Sequence, residues 1–167
     1  MSVNHNNKFL TFLLNEEIYG IPILDVREII GMMDITNIPK MPEYVRGVVN
    51  LRGKIIPVID LRLKFGLKER EYDDRTCIIV VEMTSKAGNK LNGFIVDMVS
   101  EVLDILPENM ENMPEYGSDM SGEFLKGLGK VKDKVIMILD SNMVLSEAEK
   151  EHFEIDSEAY NREVQMV

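Results

Sequence analysis

The sequence predicts an all-β protein with short helices, folded as two similar lobes and closed by a C-terminal helix. Three observations lead there. Apolar runs of strand length recur at short intervals between turn residues, the spacing of small barrels or sandwiches. A block beginning at Arg46 recurs, without a gap, from Lys126, an offset of 80. The chain has 167 residues, 45% hydrophobic and 29% charged, which suits one domain or a coupled pair around a buried core.

Phe9 to Leu14 and Ile18 to Leu24 flank Asn15-Glu16-Glu17 and read as a β-hairpin. From Asp25 to Ile30 polar and apolar residues alternate up to Gly31, which predicts a strand. Thr36 to Pro42 holds Pro39 and Pro42, which fix φ and remove donors. It reads as a loop entering a short turn of helix over Glu43 to Arg46. Val48 to Leu51, the turn Arg52-Gly53-Lys54 and Ile55 to Ile59 form a second hairpin. Pro57 has no N–H, so it is expected at a sheet edge or a bulge. Leu61, Leu63 and Phe65 are apolar with basic residues between them, and Gly66 ends the run. Asp73-Asp74-Arg75 is a turn, Cys77 to Glu82 a buried strand, and Ala87-Gly88-Asn89 the turn into a returning strand over Leu91 to Val96. Ser146-Glu147-Ala148-Glu149 is a capping box and predicts a helix from Ser146 to about Phe153.

In the repeat, Arg46-Gly47-Val48 faces Lys126-Gly127-Leu128, and Lys54 to Asp60 faces Lys134 to Asp140. Gly20 to Asp25 resembles Gly93 to Asp97 at an offset of 73 with one residue deleted. A period this long indicates two subdomains rather than a solenoid. The expected division is a first β subdomain over 8–72, a second over 73–145 with which the N-terminal strand is able to pair, and a helix and tail over 146–167.

Acidic residues number 29 against 19 Lys and Arg, a formal charge of −10 that repels phosphate backbones and anionic lipid. Nucleic acid is therefore not an expected partner. Apolar runs stay far short of the ~18–20 residues that cross a bilayer, so no direct membrane insertion is expected. The single Cys77 makes no intramolecular disulfide and residues 1–8 are polar, which predicts a reducing cytoplasm. The charge is unevenly spread. Ser100 to Leu125 carries seven acidic residues, including Glu101, Glu115, Asp119 and Glu123, and no basic one. Lys40 to Arg75 carries nine basic residues against six acidic. Such a dipolar chain steers oriented docking onto a protein partner.

No motif for phosphate binding, a nucleophile elbow or a calcium loop is present, and Gly127-Leu128-Gly129 is only a fragment of a dinucleotide fingerprint. Two His, His5 and His152, and one Cys leave no Cys/His zinc set. Neither a cofactor nor a metal is expected. The carboxylate pairs Glu16-Glu17 and Asp73-Asp74 are explained by turns. Met32, Met33, Met41, Met110, Met113 and Met120 lie outside the clearest strands and are read as core filling or an adaptable surface. The residues thus point to a noncatalytic protein that works through its surfaces. A carboxylate-based hydrolase is the remote alternative, and it requires a pocket with two converging carboxylates of raised pKa.

The run Val45-Arg46-Gly47-Val48-Val49-Asn50-Leu51-Arg52-Gly53-Lys54-Ile55-Ile56-Pro57-Val58-Ile59-Asp60-Leu61-Arg62 resembles the signature of the CheW family, the chemotaxis coupling proteins of bacteria and archaea. Tyr19-Gly20-Ile21 with Val26-Arg27-Glu28-Ile29, Ile95-Val96-Asp97 with Val99-Ser100-Glu101-Val102, and Leu125-Lys126-Gly127-Leu128-Gly129 resemble further family blocks in order. The resemblance runs from about Lys8 to Leu145. It implies two pseudo-symmetric five-stranded SH3-like β-barrels sharing an apolar core. It also implies an adaptor joining the cytoplasmic tips of chemoreceptors (methyl-accepting chemotaxis proteins) to the regulatory domain of the histidine kinase CheA. That places it in the cytoplasm, at receptor arrays on the inner face of the membrane. A CheW-like scaffold of a related non-flagellar pathway is the alternative within the same fold.

Carried over residue by residue, the family's partner-binding positions are Val26 and Glu28 in V-x-E-I, Gly47 before the hairpin, Arg52 in N-L-R-G, and Val99 and Val102 in the second copy. They are assigned jointly to receptor and kinase. Arg52 at a turn suits a forked donor, and the three valines suit an apolar groove.

Overall fold

The computed structural model describes residues 6–112 and 124–152. In chain order the strands are β1 (Lys8–Leu14), β2 (Glu17–Pro22), β3 (Val26–Gly31), β4 (Val45–Leu51), β5 (Lys54–Asp60), β6 (Cys77–Ser85), β7 (Gly88–Val96), β8 (Met98–Asp104), β9 (Met110–Glu111), β10 (Leu125–Val131) and β11 (Lys134–Leu139). Short helical turns cover Ile23–Asp25, Leu61–Lys64 (α1), Pro107–Asn109 and Ser141–Met143. A last helix occupies residues 147–152.

The strands make two sheets, one five-stranded in the order β3-β6-β7-β5-β4 and one six-stranded in the order β8-β1-β2-β11-β10-β9. Neither sheet keeps to 8–72 or 73–145. The N-terminal hairpin β1–β2 joins β8 to β11, while β6 and β7 join β3 to β5. Each sheet is completed by one parallel pairing, Val58 with Gly93 in the first and Ile138 with Gly20 in the second. Those pairs are the same pair shifted by 80 and 73 residues, so the duplication is one of architecture as well as sequence. The bulges repeat too. The register slips between Val26 and Glu28 against β6 and between Val99 and Val102 against β1. It slips again between Val45 and Gly47 and between Leu125 and Gly127.

Alternation explains the layers. Leu10, Phe12, Tyr19 and Ile21 of the six-stranded sheet and Ile59, Ile79, Val81 and Phe94 of the five-stranded sheet form a core shared by both barrels. Opposite faces fill each barrel separately, with Val49, Ile56, Val58, Ile78, Val80 and Ile95 in one and Phe9, Ile105, Ile136 and Ile138 in the other. Phe12 and Phe94 are wholly buried at the shared interface. Side chains of that size contribute ~1.5–3 kcal/mol each. From Phe12 an aromatic stack runs outward through Tyr19 and Phe65 to Phe124, with successive ring centroids 5.9, 5.8 and 4.4 Å apart.

One local expectation is corrected and another is narrowed. Glu43 to Arg46 is not a helical turn: the Val45 N–H returns to the Pro42 carbonyl at 3.0 Å, and Val45 already pairs with Ile59 as the first residue of β4. Pro42 marks a turn there, and the β-branched Val45 goes to the sheet. Of the two places expected for Pro57 the edge is excluded, since β5 is flanked by β4 and β7, and the bulge of this pair lies next to it, between Val45 and Gly47. Pro57 faces Val48, whose N–H and carbonyl turn away to Thr36 at 2.9 and 2.8 Å, and β5 meets β7 only from Val58 onward. No donor is needed at Pro57, which is why proline is tolerated inside the sheet.

The capping box forms as its spacing predicts. The Ser146 Oγ accepts the Glu149 N–H at 3.1 Å, and the Glu149 carboxylate accepts the Ser146 N–H at 2.9 Å. Phe153 and the tail lie outside the described residues, as do His5, Met113, Glu115, Asp119, Met120 and Glu123.

Candidate functional site

The site is built on the open ends of the five-stranded sheet. Between β4 and β5 the two loop residues Arg52 and Gly53 both take positive φ, 52° and 88°, the turn whose twist matches its flanking strands. Gly53 adopts that backbone freely, and its N–H donates to the Asn50 Oδ1 at 2.9 Å. Arg52 takes it against its Cβ, and its side chain leaves the turn toward β3. There Nη1 and Nη2 meet Oε1 and Oε2 of Glu28 at 3.0 and 2.5 Å. The fork joins strands at opposite ends of the sheet order. It holds the Glu28 carboxyl below its usual range and raises the Arg52 guanidinium. The Arg52 side chain is 70% exposed, so the pair faces outward with donor capacity left over.

Gly47 serves the same corner differently. Its φ is 139°, and a Cβ there would lie 2.1 Å from the Thr36 carbonyl oxygen. The residue lets the 36–48 bridge close on β4 and contacts no partner through a side chain. Val26 opens β3 half-buried against the shared core. Its counterpart Val99, second in β8, is half-buried against the same core, and Val102 is 46% exposed, its counterpart Ile29 43%. The structure thus joins Glu28 with Arg52, supports them through Gly47, and sets Val99 and Val102 in the other sheet, on an edge strand equivalent to β3.

A second polar constellation escaped sequence reading. Arg62 in α1 and Asp97, which follows β7, pair at 2.6 Å with side chains only 9% exposed. The same Asp97 Oδ2 accepts the Asn15 N–H at 2.9 Å from the β1–β2 turn, and Arg70 approaches it at 3.4 Å. Beside it the Asp60 Oδ1 caps α1 through the Arg62 N–H, and Oδ2 accepts the Tyr72 hydroxyl at 2.8 Å. Burial and the Asp60 carboxylate push the Tyr72 phenol up to about 12, against the opposing pull of Arg46. Asp60, Arg62, Arg70, Tyr72 and Asp97 line one crevice. The Asp60 and Asp97 carboxylates are engaged by guanidinium, phenol and backbone donors, an arrangement that ties the 60–76 segment and the β1–β2 turn to the barrel junction. The signal available in the sequence was the recurrence of an Asp after β2 and after β7, at Asp25 and Asp97.

No group of three or more His, Cys, Asp or Glu suited to a metal occurs among the described residues. No described helix is long and apolar enough to cross a membrane.

Comparison with known proteins bears on the family and the fold. The family model for the CheW-like domain matches residues 8–149. The chain is 39% identical over 142 residues to the chemotaxis protein CheW of Klebsiella aerogenes, covering 85% of this chain and 83% of that one. It is 36% identical to the chemotaxis protein CheW of Helicobacter pylori, over 83% of this chain and 81% of the relative. The crystal structure of the scaffolding protein TtCheW from Thermoanaerobacter tengcongensis superposes with a TM-score of 0.77 at 38% identity, covering 86% of this chain and 97% of that one.

Proposed function

The chain belongs to the CheW family, and from that premise we propose that it couples the cytoplasmic tips of chemoreceptors to the histidine kinase CheA in chemotaxis signalling. A CheW-family adaptor is noncatalytic and works by holding other proteins. The observation that carries the finer reading is the Glu28–Arg52 fork. Two residues of the family's V-x-E-I and N-L-R-G motifs, separated by 24 positions, meet at the outer corner of one barrel. Arg52 is exposed, pre-aimed and always charged, so it is suited to a carboxylate or carbonyl of a receptor helix or the kinase regulatory domain. Val26, Val99 and Val102 add apolar surface on the two equivalent edge strands. On this reading the protein sits in the cytoplasm at receptor arrays, held there by its partners.

Reconstitution of receptor fragments, kinase and this protein, with kinase activity as the readout, tests the proposal. The expected result is receptor-dependent kinase control only when the protein is added. Absence of binding to both the receptor fragment and the kinase regulatory domain by folded protein overturns it.

A further inference from the structure

The duplication sets the β10–β11 hairpin against β4–β5 residue for residue. Asn50, Arg52 and Lys54 correspond to Lys130, Lys132 and Lys134, and Gly53 to Asp133. Lys132 repeats the left-handed backbone of Arg52, φ 56° against 52°. Glu28 corresponds to Glu101 on β8. Here the copies diverge. Arg52 is held by Glu28, whereas no ion pair among the described residues joins Lys132 to Glu101, and both are exposed. Lys130 is paired with Glu111 on β9 at 2.6 Å, yet remains 59% exposed. Lys134 is exposed as well. The hairpin end therefore carries three lysines against Asp133 and the Glu111 that pairs with Lys130, in a chain of net charge −10.

The apolar residues of the hairpin diverge in the same sense. Val135 pairs directly with Lys130, so both point to one face, which continues to the half-buried pair Leu128 and Met137. Val135 is 54% exposed, whereas its counterpart Ile55 is half-buried. One exposed valine is ordinary by itself. Beside Lys132 and Lys134, which form no ion pair among the described residues, it becomes the apolar side of a basic hairpin end.

We propose that the β10–β11 hairpin is a second docking surface, and that its occupant is an acidic segment of a partner protein carrying an apolar side chain for Val135 and Leu128. Charge complementarity selects that occupant. The ammonium groups of Lys132 and Lys134 at the hairpin end attract carboxylates, while the net charge of the whole chain repels nucleic acid and anionic lipid. In the first copy the fork spends much of its charge on Glu28, and in the second Lys132 and Lys134, which form no ion pair among the described residues, are left for a ligand. The two poles therefore differ in what they bind although they share a fold, as a protein that joins two unlike partners requires. Only this last step, which gives the two poles to two partners, rests on the adaptor reading.

The test uses the full chain labelled with nitrogen-15 and a short synthetic peptide of glutamates flanking one leucine. Saturable shifts confined to residues 126–137 are expected, weakening as salt is raised. Affinity should fall about tenfold in a Lys132→Glu, Lys134→Glu double variant. It should hold in Lys86→Glu, Lys90→Glu, which makes the same charge change on the exposed β6–β7 hairpin. Val135→Ser should weaken binding without altering its salt dependence. Equal loss in both lysine variants, shifts spread over all exposed lysines, or no saturable binding overturns the proposal. Sedimentation that detects self-association through the hairpin also overturns it, because the occupant would then be a second copy. If the peptide binds as expected but neither the receptor fragment nor the kinase domain does, the adaptor reading fails and this surface stands.

Discussion

Arg52 grips Glu28 with both terminal nitrogens, at 3.0 and 2.5 Å, and thereby links the hairpin of β4–β5 to β3 across the end of the sheet. Both groups are solvent-exposed, so water and salt screen the pair and it adds little to stability. Its value is orientation: the fork holds a planar donor in one place. Arg52→Ala is expected to leave the melting temperature unchanged while weakening one partner contact by about tenfold. Arg52→Lys should recover only part of it, because an ammonium cannot reproduce the fork. Calorimetric titration beside a thermal melt checks this. A large loss of stability with unchanged binding would make Arg52 structural.

Gly47 belongs to the same motif but acts through the backbone. With φ at 139° and the Thr36 oxygen 2.1 Å from any added Cβ, an alanine meets a rigid acceptor as well as a disfavoured conformation. Gly47→Ala should cost about 2–3 kcal/mol or more, read by denaturant unfolding. Its effect on partner binding should follow the loss of folded protein. A stable Gly47→Ala protein with lost binding would place Gly47 directly in the interface.

The hairpins, the turns and the capping box were legible because each rests on neighbours in sequence: Arg52-Gly53 at a turn, Ser146 three residues from Glu149. The repeat was legible for the same reason, as an offset. What escaped is what topology decides. Nothing local in Lys8 to Pro22 says that this hairpin pairs with β8 and β11 rather than with the strands that follow it. Nor does spacing show Arg62 meeting Asp97 across 35 residues. The turn at Glu43 was misread because a proline before a polar residue opens helices and tight turns alike. The outcome depended on Val45 finding Ile59 in the sheet.

Asp97 is the busiest of these long-range contacts. Its Oδ2 receives Arg62 at 2.6 Å and the Asn15 N–H at 2.9 Å, and both carboxylate and guanidinium are 9% exposed. Removing the carboxylate leaves a buried cation with only the Lys68 carbonyl, 2.9 Å from Nε, as an identified acceptor. Asp97→Ala is expected to cost about 3–5 kcal/mol. That corresponds to a melting temperature lower by about 10 °C for a domain of this size. Arg62→Met with Asp97→Leu, which removes both charges at similar volume, should recover much of the loss. If the double variant is as unstable as the single, packing rather than the unpaired charge dominates.

The terminal helix is too short to hold by its own hydrogen bonds and depends on the contacts that Lys150 and Glu149 make with the sheets and α1. Lys150 is buried and donates to the Thr84 carbonyl at 2.7 Å. Glu149 pairs with Lys64 at 2.8 Å and accepts the Tyr44 hydroxyl. Burial alone would raise the Glu149 carboxyl, but Lys64, the Ser146 N–H and Tyr44 outweigh it and hold it below the ordinary 4.5. A carboxyl depressed in the folded state contributes stability that is complete above its unfolded value and fades as pH falls through the folded one. Docking of residues 147–152 should therefore persist at neutral pH and loosen below about 4.5, where amide exchange in this helix should accelerate before the sheets open. Glu149→Gln keeps the shape and removes the charge, so it should weaken docking at neutral pH and abolish this early acid step. Identical acid profiles for the two proteins would show that other carboxylates govern the helix.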